Sequence, residues 1–215
     1  MIYCHGVKSF FAAVVAGCLF LVGSSTPAQT VQEAAAAVER HYSELKDLTA
    51  KVTQKTFLKS VGKTQKYDGT LRIKKPGKLR LDYSNGQVIL IDGKAALFYS
   101  KKSEQVIKKT FTDFQQMNIP VAFLLGAAHI RDDFDVLQPD PKAPRSLALL
   151  PRKPGAAMQK MRVETGETGG ITSLTIFDKS GNTTEIVFAD VQEGVAIDDT
   201  VFVFKAPKGT EIIEQ

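Results

Sequence analysis

Tyr67-Asp68-Gly69-Thr70-Leu71-Arg72-Ile73-Lys74-Lys75-Pro76-Gly77-Lys78-Leu79-Arg80-Leu81-Asp82-Tyr83 is the stretch on which the fold turns. Leu71 and Ile73 alternate with Thr70, Arg72 and Lys74, and Leu79, Leu81 and Tyr83 alternate with Arg80 and Asp82. A two-residue period of this kind belongs to half-buried antiparallel strands, whose successive side chains point to opposite faces. Lys75-Pro76-Gly77-Lys78 is the corner between them, because Pro76 fixes φ for a turn and Gly77 tolerates positive φ. One apolar face is presented twice in succession, and the functional question is what that face covers.

Upstream, Thr30-Val31-Gln32-Glu33 has the form of a capping box. Val31, Ala34, Ala35, Val38, Tyr42 and Leu45 then recur at three- and four-residue spacing, predicting a helix with one apolar stripe that needs an apolar partner. From Leu48 onward the pattern is that of strands. Downstream, Val88-Ile89-Leu90-Ile91 is apolar in consecutive positions, which predicts a strand packed on both faces, with something outside the sheet as well as inside it. Asp92-Gly93 before Ala95-Ala96-Leu97-Phe98-Tyr99 signals a hairpin, and Gln105 to Thr110 adds a strand.

Pro120 to Gly126 is short and apolar on every side, the pattern of a mobile helical lid. Beyond the proline-rich stretch Pro139 to Pro144, five more strands are expected: Leu147 to Leu150, Met158 to Val163, Ile171 to Phe177, Thr184 to Phe188 and Val201 to Phe204. About 11 strands at this spacing, with helices only near the ends and middle, indicate a mainly β (α+β) fold built on one curved antiparallel sheet or barrel.

Residues 1–28 read as a secretory signal peptide. Lys8 precedes an apolar run from Phe10 to Val22, and Thr26 and Ala28 are small residues suited to cleavage before Gln29. The run is about 13 residues, short of the roughly 20 that a membrane span requires. Residues 29–215 are expected to form one domain. Val15-Ala16-Gly17-Cys18 also fits the pattern before a lipidated cysteine, and use of Cys18 would give an anchored protein in place of a free one. Cys4 and Cys18 both fall in the leader, so export without disulfides points to a bacterial periplasm and a fold held by its core. Removing Lys8 leaves 27 basic against 23 acidic residues, a charge of +4 dispersed along the strands without the basic block that nucleic-acid binding needs.

No catalytic pattern stands out: Gly-x-Ser-x-Gly, His-Glu-x-x-His and the phosphate loop are absent. His41 and His129 read as lone surface histidines, Asp132-Asp133 and Asp198-Asp199 as solvated pairs, and Gly166 to Gly170 as a hairpin loop without the helix a phosphate cradle needs. No enzyme, cofactor or metal is implied. A curved sheet with an apolar inner face and short apolar helices either packs a solid core or encloses an apolar ligand.

Several stretches resemble, in order and spacing, those of the periplasmic outer-membrane lipoprotein carrier proteins (LolA-like). They are Val52-Thr53-Gln54-Lys55, Gly69 to Arg80, Asp92-Gly93-Lys94 with Phe98-Tyr99, Pro120 with Leu124-Leu125, and Phe202-Val203-Phe204 with Pro207-Lys208-Gly209. The resemblance covers nearly the whole mature chain. It implies an unclosed β-barrel with a helical lid, whose cavity holds the acyl chains of lipoproteins crossing the periplasm. The implied partners are acylated lipoproteins, an inner-membrane lipoprotein-releasing ABC transporter complex and an outer-membrane receptor, the carrier itself being a monomer that binds no nucleic acid.

The expected lining is Leu71, Ile73, Leu79, Leu81, Tyr83, Leu90, Leu97, Phe123 and Leu124. The expected lid-gating residues are Lys75, Arg72, Arg80 and Pro120. Some family members carry an arginine at the position of Lys75; an ammonium lacks the forked geometry of a guanidinium, which would leave nearby Arg72 or Arg80 to hold the lid. On this reading Leu79→Glu, or a charge at Leu81 or Phe123, abolishes cargo binding and leaves the fold intact. Two other readings use the same sheet: an anchored outer-membrane receptor lipidated at Cys18, and a structural or sensor module of the cell envelope.

Overall fold

The computed structural model describes residues 30–111, 124–125, 130–138, 143, 145–152 and 158–214. The chain opens with helix α1 (Val31–Glu44), started by the expected capping box: the Glu33 amide donates to Thr30 Oγ1 (3.2 Å) and the Thr30 amide to Glu33 Oε2 (2.8 Å). Its stripe of Ala34, Ala35, Val38 and Tyr42 is buried, continued by Leu45 just beyond the helix.

Six strands follow in a meander: β1 (Asp47–Leu58), β2 (Lys63–Lys74), β3 (Lys78–Tyr83), β4 (Gln87–Asp92), β5 (Ala95–Ser100) and β6 (Gln105–Thr110). A short helix α2 (Ile130–Asp133) leads to a second meander, β7 (Phe134–Leu137), β8 (Ser146–Pro151), β9 (Met158–Thr165), β10 (Ile171–Asp178) and β11 (Thr183–Glu193). A single turn of 3-10 helix (Asp199–Phe202) and β12 (Glu211–Glu214) end the described chain.

The strands form one 12-stranded sheet in the order β12-β6-β5-β4-β3-β2-β1-β11-β10-β9-β8-β7. The two meanders join where β1 lies antiparallel to β11, and the sheet ends at β12 and β7 without the two pairing, so the barrel is unclosed. Twelve strands stand among the described residues where about 11 were expected, and the sheet is not wholly antiparallel. After β11 the chain crosses to the far edge and β12 lies parallel to β6, Glu211 opposite Gln105.

Val201–Phe204, expected as a strand, is not one: Val201 and Phe202 end a 3-10 turn, and Val203 and Phe204 follow it without strand pairing. Asp198 caps it by accepting from the Thr200 amide at 2.8 Å, and the single large apolar residue it buries is Phe202. His41, expected at the surface, is only 13% exposed in its side chain, with Nε2 at 2.9 Å from Glu193 Oε1.

The corner in the opening stretch forms as expected. Lys74 pairs with Lys78 across it, Gly77 adopts φ +67°, and the Lys75–Pro76 peptide is cis. From there the register sorts every side chain to a face. Leu71 opposes Leu81 and Ile73 opposes Leu79, while Leu79 opposes Ile91 and Ile91 opposes Ala96. These residues share the concave face with Leu48, Ala50 and Val52 of β1 and with Leu147, Leu149, Met161, Val163 and Leu174 of the second meander, in one cluster that also takes in the α1 stripe. Residues from strands far apart in the sheet meet there because the sheet curls around α1.

Candidate apolar-ligand site

The concave face divides into a sealed end and an accessible end. At the sealed end Ile73 and Ile91 are 0% exposed and Leu79 is 1% exposed, packed with α1, Leu124 and Leu125. Such residues fill a core; they have no surface to offer a ligand. Toward the opposite end the same face carries Tyr83, Ile89, Phe98, Ile176, Ile186 and Phe188, all half-buried and all packed against the core cluster. A cavity of about 200 Å³ opens there, its walls including Tyr83, Ile89, Phe98 and Ile107. Polar groups at this end are satisfied within the protein: the Tyr83 hydroxyl donates to Gln54 Oε1, and burial raises its pKa to about 12, so it stays a neutral phenol. Tyr67 stands edge-on to Tyr83 at 6.1 Å. Gln87, Ser100, Ser103 and Gln105 line the cavity beside these apolar side chains, so the wall is mainly aliphatic and aromatic with a polar margin.

A second opening, of about 450 Å³, lies at the outer rim of the sealed end, between Pro76 and Gly77 of the β2–β3 corner, Gly93 and Lys94 of the β4–β5 turn, and Phe111 and Leu125; the buried Ile73, Leu79 and Ile91 do not line it. Lys75 sits beside it and donates from Nζ to the Tyr42 carbonyl in the last turn of α1. Its half-burial lowers the ammonium's pKa, through loss of hydration.

The structure brings together Leu71, Ile73, Leu79, Leu81, Tyr83 and Leu124 on the concave side. Pro120 and Phe123 lie outside the described residues. Leu90 and Leu97 are placed on the opposite face, which corrects their expected position: Leu90 opposes Leu97 and Arg80, one residue out of step with Ile89 and Ile91, and a one-residue step in a strand reverses the face. They border a separate cavity of about 430 Å³ on the convex side, walled by Phe202, Val203 and Phe204 of the C-terminal segment. The unbroken run Val88 to Ile91 is thus explained, the core covering one side and the C-terminal segment the other.

Arg72 and Arg80 share that convex face, opposite the face that α1 covers. They oppose each other directly, a repulsive pairing that Asp82 offsets, lying 3.0 Å from Arg72 Nη1 and 2.9 Å from Arg80 Nε. Arg80 Nη1 also donates to the Val201 carbonyl at 2.9 Å. Asp199 takes Lys74 at 2.7 Å and Lys78 at 3.0 Å, and these two ammonium groups lower its pKa. The role of Asp199 had no signal in the sequence, where the pair Asp198-Asp199 reads as solvated; only the crossover of the C-terminal segment brings it to Lys74 and Lys78. Among the described residues no group of three or more His, Cys, Asp and Glu side chains is arranged to hold a metal ion.

The fold and this face define a class: an unclosed β-barrel curled around a helix, its concave wall apolar and in part uncovered. The comparisons with known proteins agree. The family model described as "Outer membrane lipoprotein carrier protein LolA" matches residues 43–205, and the chain belongs to that family. The outer-membrane lipoprotein carrier protein of Chromobacterium violaceum is 27% identical over 96% of this chain and 98% of its own length. That of Azotobacter vinelandii is 24% identical over 88% of this chain and 92% of its own. Among solved structures, an uncharacterized conserved protein from Thermus thermophilus shares the fold with a TM-score of 0.53 at 11% identity, covering 86% of this chain and 98% of that one. The family is one of carriers, not of enzymes.

Proposed function

We propose that this protein binds the acyl chains of lipoproteins against its concave face and carries them through the periplasm from the inner to the outer membrane. On this reading residues 1–28 are the signal peptide that exports it and residues 29–215 the carrier domain. An inner-membrane lipoprotein-releasing ABC transporter loads it as a monomer, and an outer-membrane receptor accepts the cargo. The observation that carries the reading is the accessible half of the concave wall, where Tyr83, Ile89, Phe98, Ile176, Ile186 and Phe188 are partly uncovered while their neighbours on the same face are sealed. Withdrawing an acyl chain of about 15 methylenes from water is worth roughly 12 kcal/mol, so a wall of this chemistry needs no catalytic group to hold cargo. Release then depends on how completely the chain is enclosed, and a wall uncovered on one side leaves it an exit.

Co-expression with a lipoprotein followed by purification tests the reading. Acylated cargo should co-purify, and a fluorescent fatty-acid probe should compete with it. A protein that emerges without lipid and takes up no probe would refute the carrier role and leave a structural module of the envelope.

A further inference from the structure

β1 and β2 run on together beyond the last β2–β3 pair, Gly69 with Tyr83, from Thr53 opposite Asp68 to Leu58 opposite Lys63. At about 3.3 Å per residue this extends the hairpin roughly 20 Å past β3. The β10–β11 turn abuts its end: the Lys59 amide donates to Asn182 Oδ1 at 3.0 Å, and the Lys59 stem lies against Gly181. The two turns form one tip. On it Phe57 is 41% and Val61 is 59% exposed, and nothing lies within 4 Å of where a side chain at Gly62 would begin. Lys59, Lys63 and Lys179 are exposed there and have no carboxylate partner among the described residues, whereas Lys55 and Lys66 behind them are paired with Glu185 and Asp68.

Two exposed apolar side chains among three ammonium groups without a carboxylate partner, on a projecting tip, suit a surface that is anionic outside and apolar beneath. An acidic protein would satisfy the lysines but would need a pocket for Phe57 and Val61; a bilayer satisfies both groups at once. We propose that the joined tips of the β1–β2 and β10–β11 hairpins dock on an anionic lipid bilayer, the lysines at the headgroups and Phe57 and Val61 among them. This goes beyond the carrier reading and stands without it.

Flotation of the purified protein with vesicles tests it. Binding is expected to vesicles of phosphatidylethanolamine and phosphatidylglycerol and not to vesicles of phosphatidylcholine alone. With each lysine worth about fivefold near an anionic surface, Lys59→Gln/Lys63→Gln/Lys179→Gln should bind roughly a hundredfold more weakly. Phe57→Ser/Val61→Ser should also weaken binding, with an unchanged circular dichroism spectrum, and Lys101→Gln/Lys102→Gln in the β5–β6 turn should bind as the wild type does. The proposal is overturned by absence of binding to the anionic vesicles, as an acidic protein partner would give, by equal binding to both vesicle types, or by equal loss in the β5–β6 variant. Fatty-acid probe affinity should be the same in the tip variants as in the wild type. A protein that binds vesicles but no probe would remove the carrier reading and leave the docking tip standing.

Discussion

The Lys75 ammonium donates to the Tyr42 carbonyl, tying the β2–β3 corner to the last turn of α1. The last carbonyls of a helix have no partner within it, and a cation there also opposes the negative end of the helix dipole. The corner therefore clamps the helix that plugs the sealed end of the barrel.

Lys75→Met leaves that carbonyl unpaired in a half-buried place. The expected cost is about 1 kcal/mol in urea unfolding, with faster hydrogen exchange confined to the C-terminal turn of α1. Lys75→Arg, which keeps a donor, should recover most of it. Equal stability of wild type and Lys75→Met would show that the contact adds nothing to the clamp.

Core and binding wall separate by mutation along one face. Ile73, fully buried, should lose about 2–5 kcal/mol of stability on change to Ala. Leu79→Glu is now expected to unfold the protein, since Leu79 is 1% exposed and its new charge would have no water. The variant that stays folded and loses ligand is Ile186→Glu, on the half-buried part of the wall. Its fatty-acid probe affinity should fall by at least about tenfold, a charge on the wall being costly to cover with an acyl chain. Probe binding equal to wild type would exclude this wall as the ligand surface.

The C-terminal segment should loosen in acid. Hydrogen bonds from Thr200 lower the pKa of Asp198, and Lys74 and Lys78 lower that of Asp199. A carboxylate with a depressed folded-state pKa binds protons more readily in the unfolded state, so its contribution is complete above the ordinary value of about 3.9 and disappears as pH falls through the folded value. Proteolysis or exchange in residues 199–214 should therefore be unchanged from neutral pH to about pH 5 and rise below about pH 4. Asp199→Asn should show the loosened behaviour already at neutral pH. An onset above pH 6 would point to a different group.

The opening stretch carried much of the architecture because alternation is a local property. Leu71, Ile73, Leu79 and Leu81 had to share a face, and the capping box and stripe of α1 supplied a helix to cover it. Leu90 and Leu97 were misplaced because Val88 to Ile91 is apolar at every position, and a run without alternation gives no parity from which to choose a face. The crossover was not legible either. Phe202 is an apolar residue among others in the sequence, and that it lies over the convex side, with Asp199 at Lys74 and Lys78, follows from a return of the chain that local patterns do not encode. The division of the concave face into sealed and open halves likewise depends on which part of the sheet α1, Leu124 and Leu125 pack against, a tertiary fact.

The seating of α1 depends on one close approach. Gly169, in the β9–β10 turn, has φ +89°, and a Cβ built there would fall 2.5 Å from the Ala37 carbonyl oxygen of the helix. Gly62 has a similar backbone, φ +62°, with nothing near its would-be Cβ. Alanine at either site bears the left-handed backbone cost, of order 1 kcal/mol, and only Gly169→Ala also pushes the turn off the helix. Gly62→Ala should therefore cost about 1 kcal/mol in urea unfolding and leave α1 undisturbed. Gly169→Ala should cost roughly 2 kcal/mol or more and increase exchange along the helix face that carries Ala34 and Val38. Matching losses for the two variants would mean that the turn yields without moving the helix, and that α1 is held by its apolar stripe and the Lys75 clamp alone.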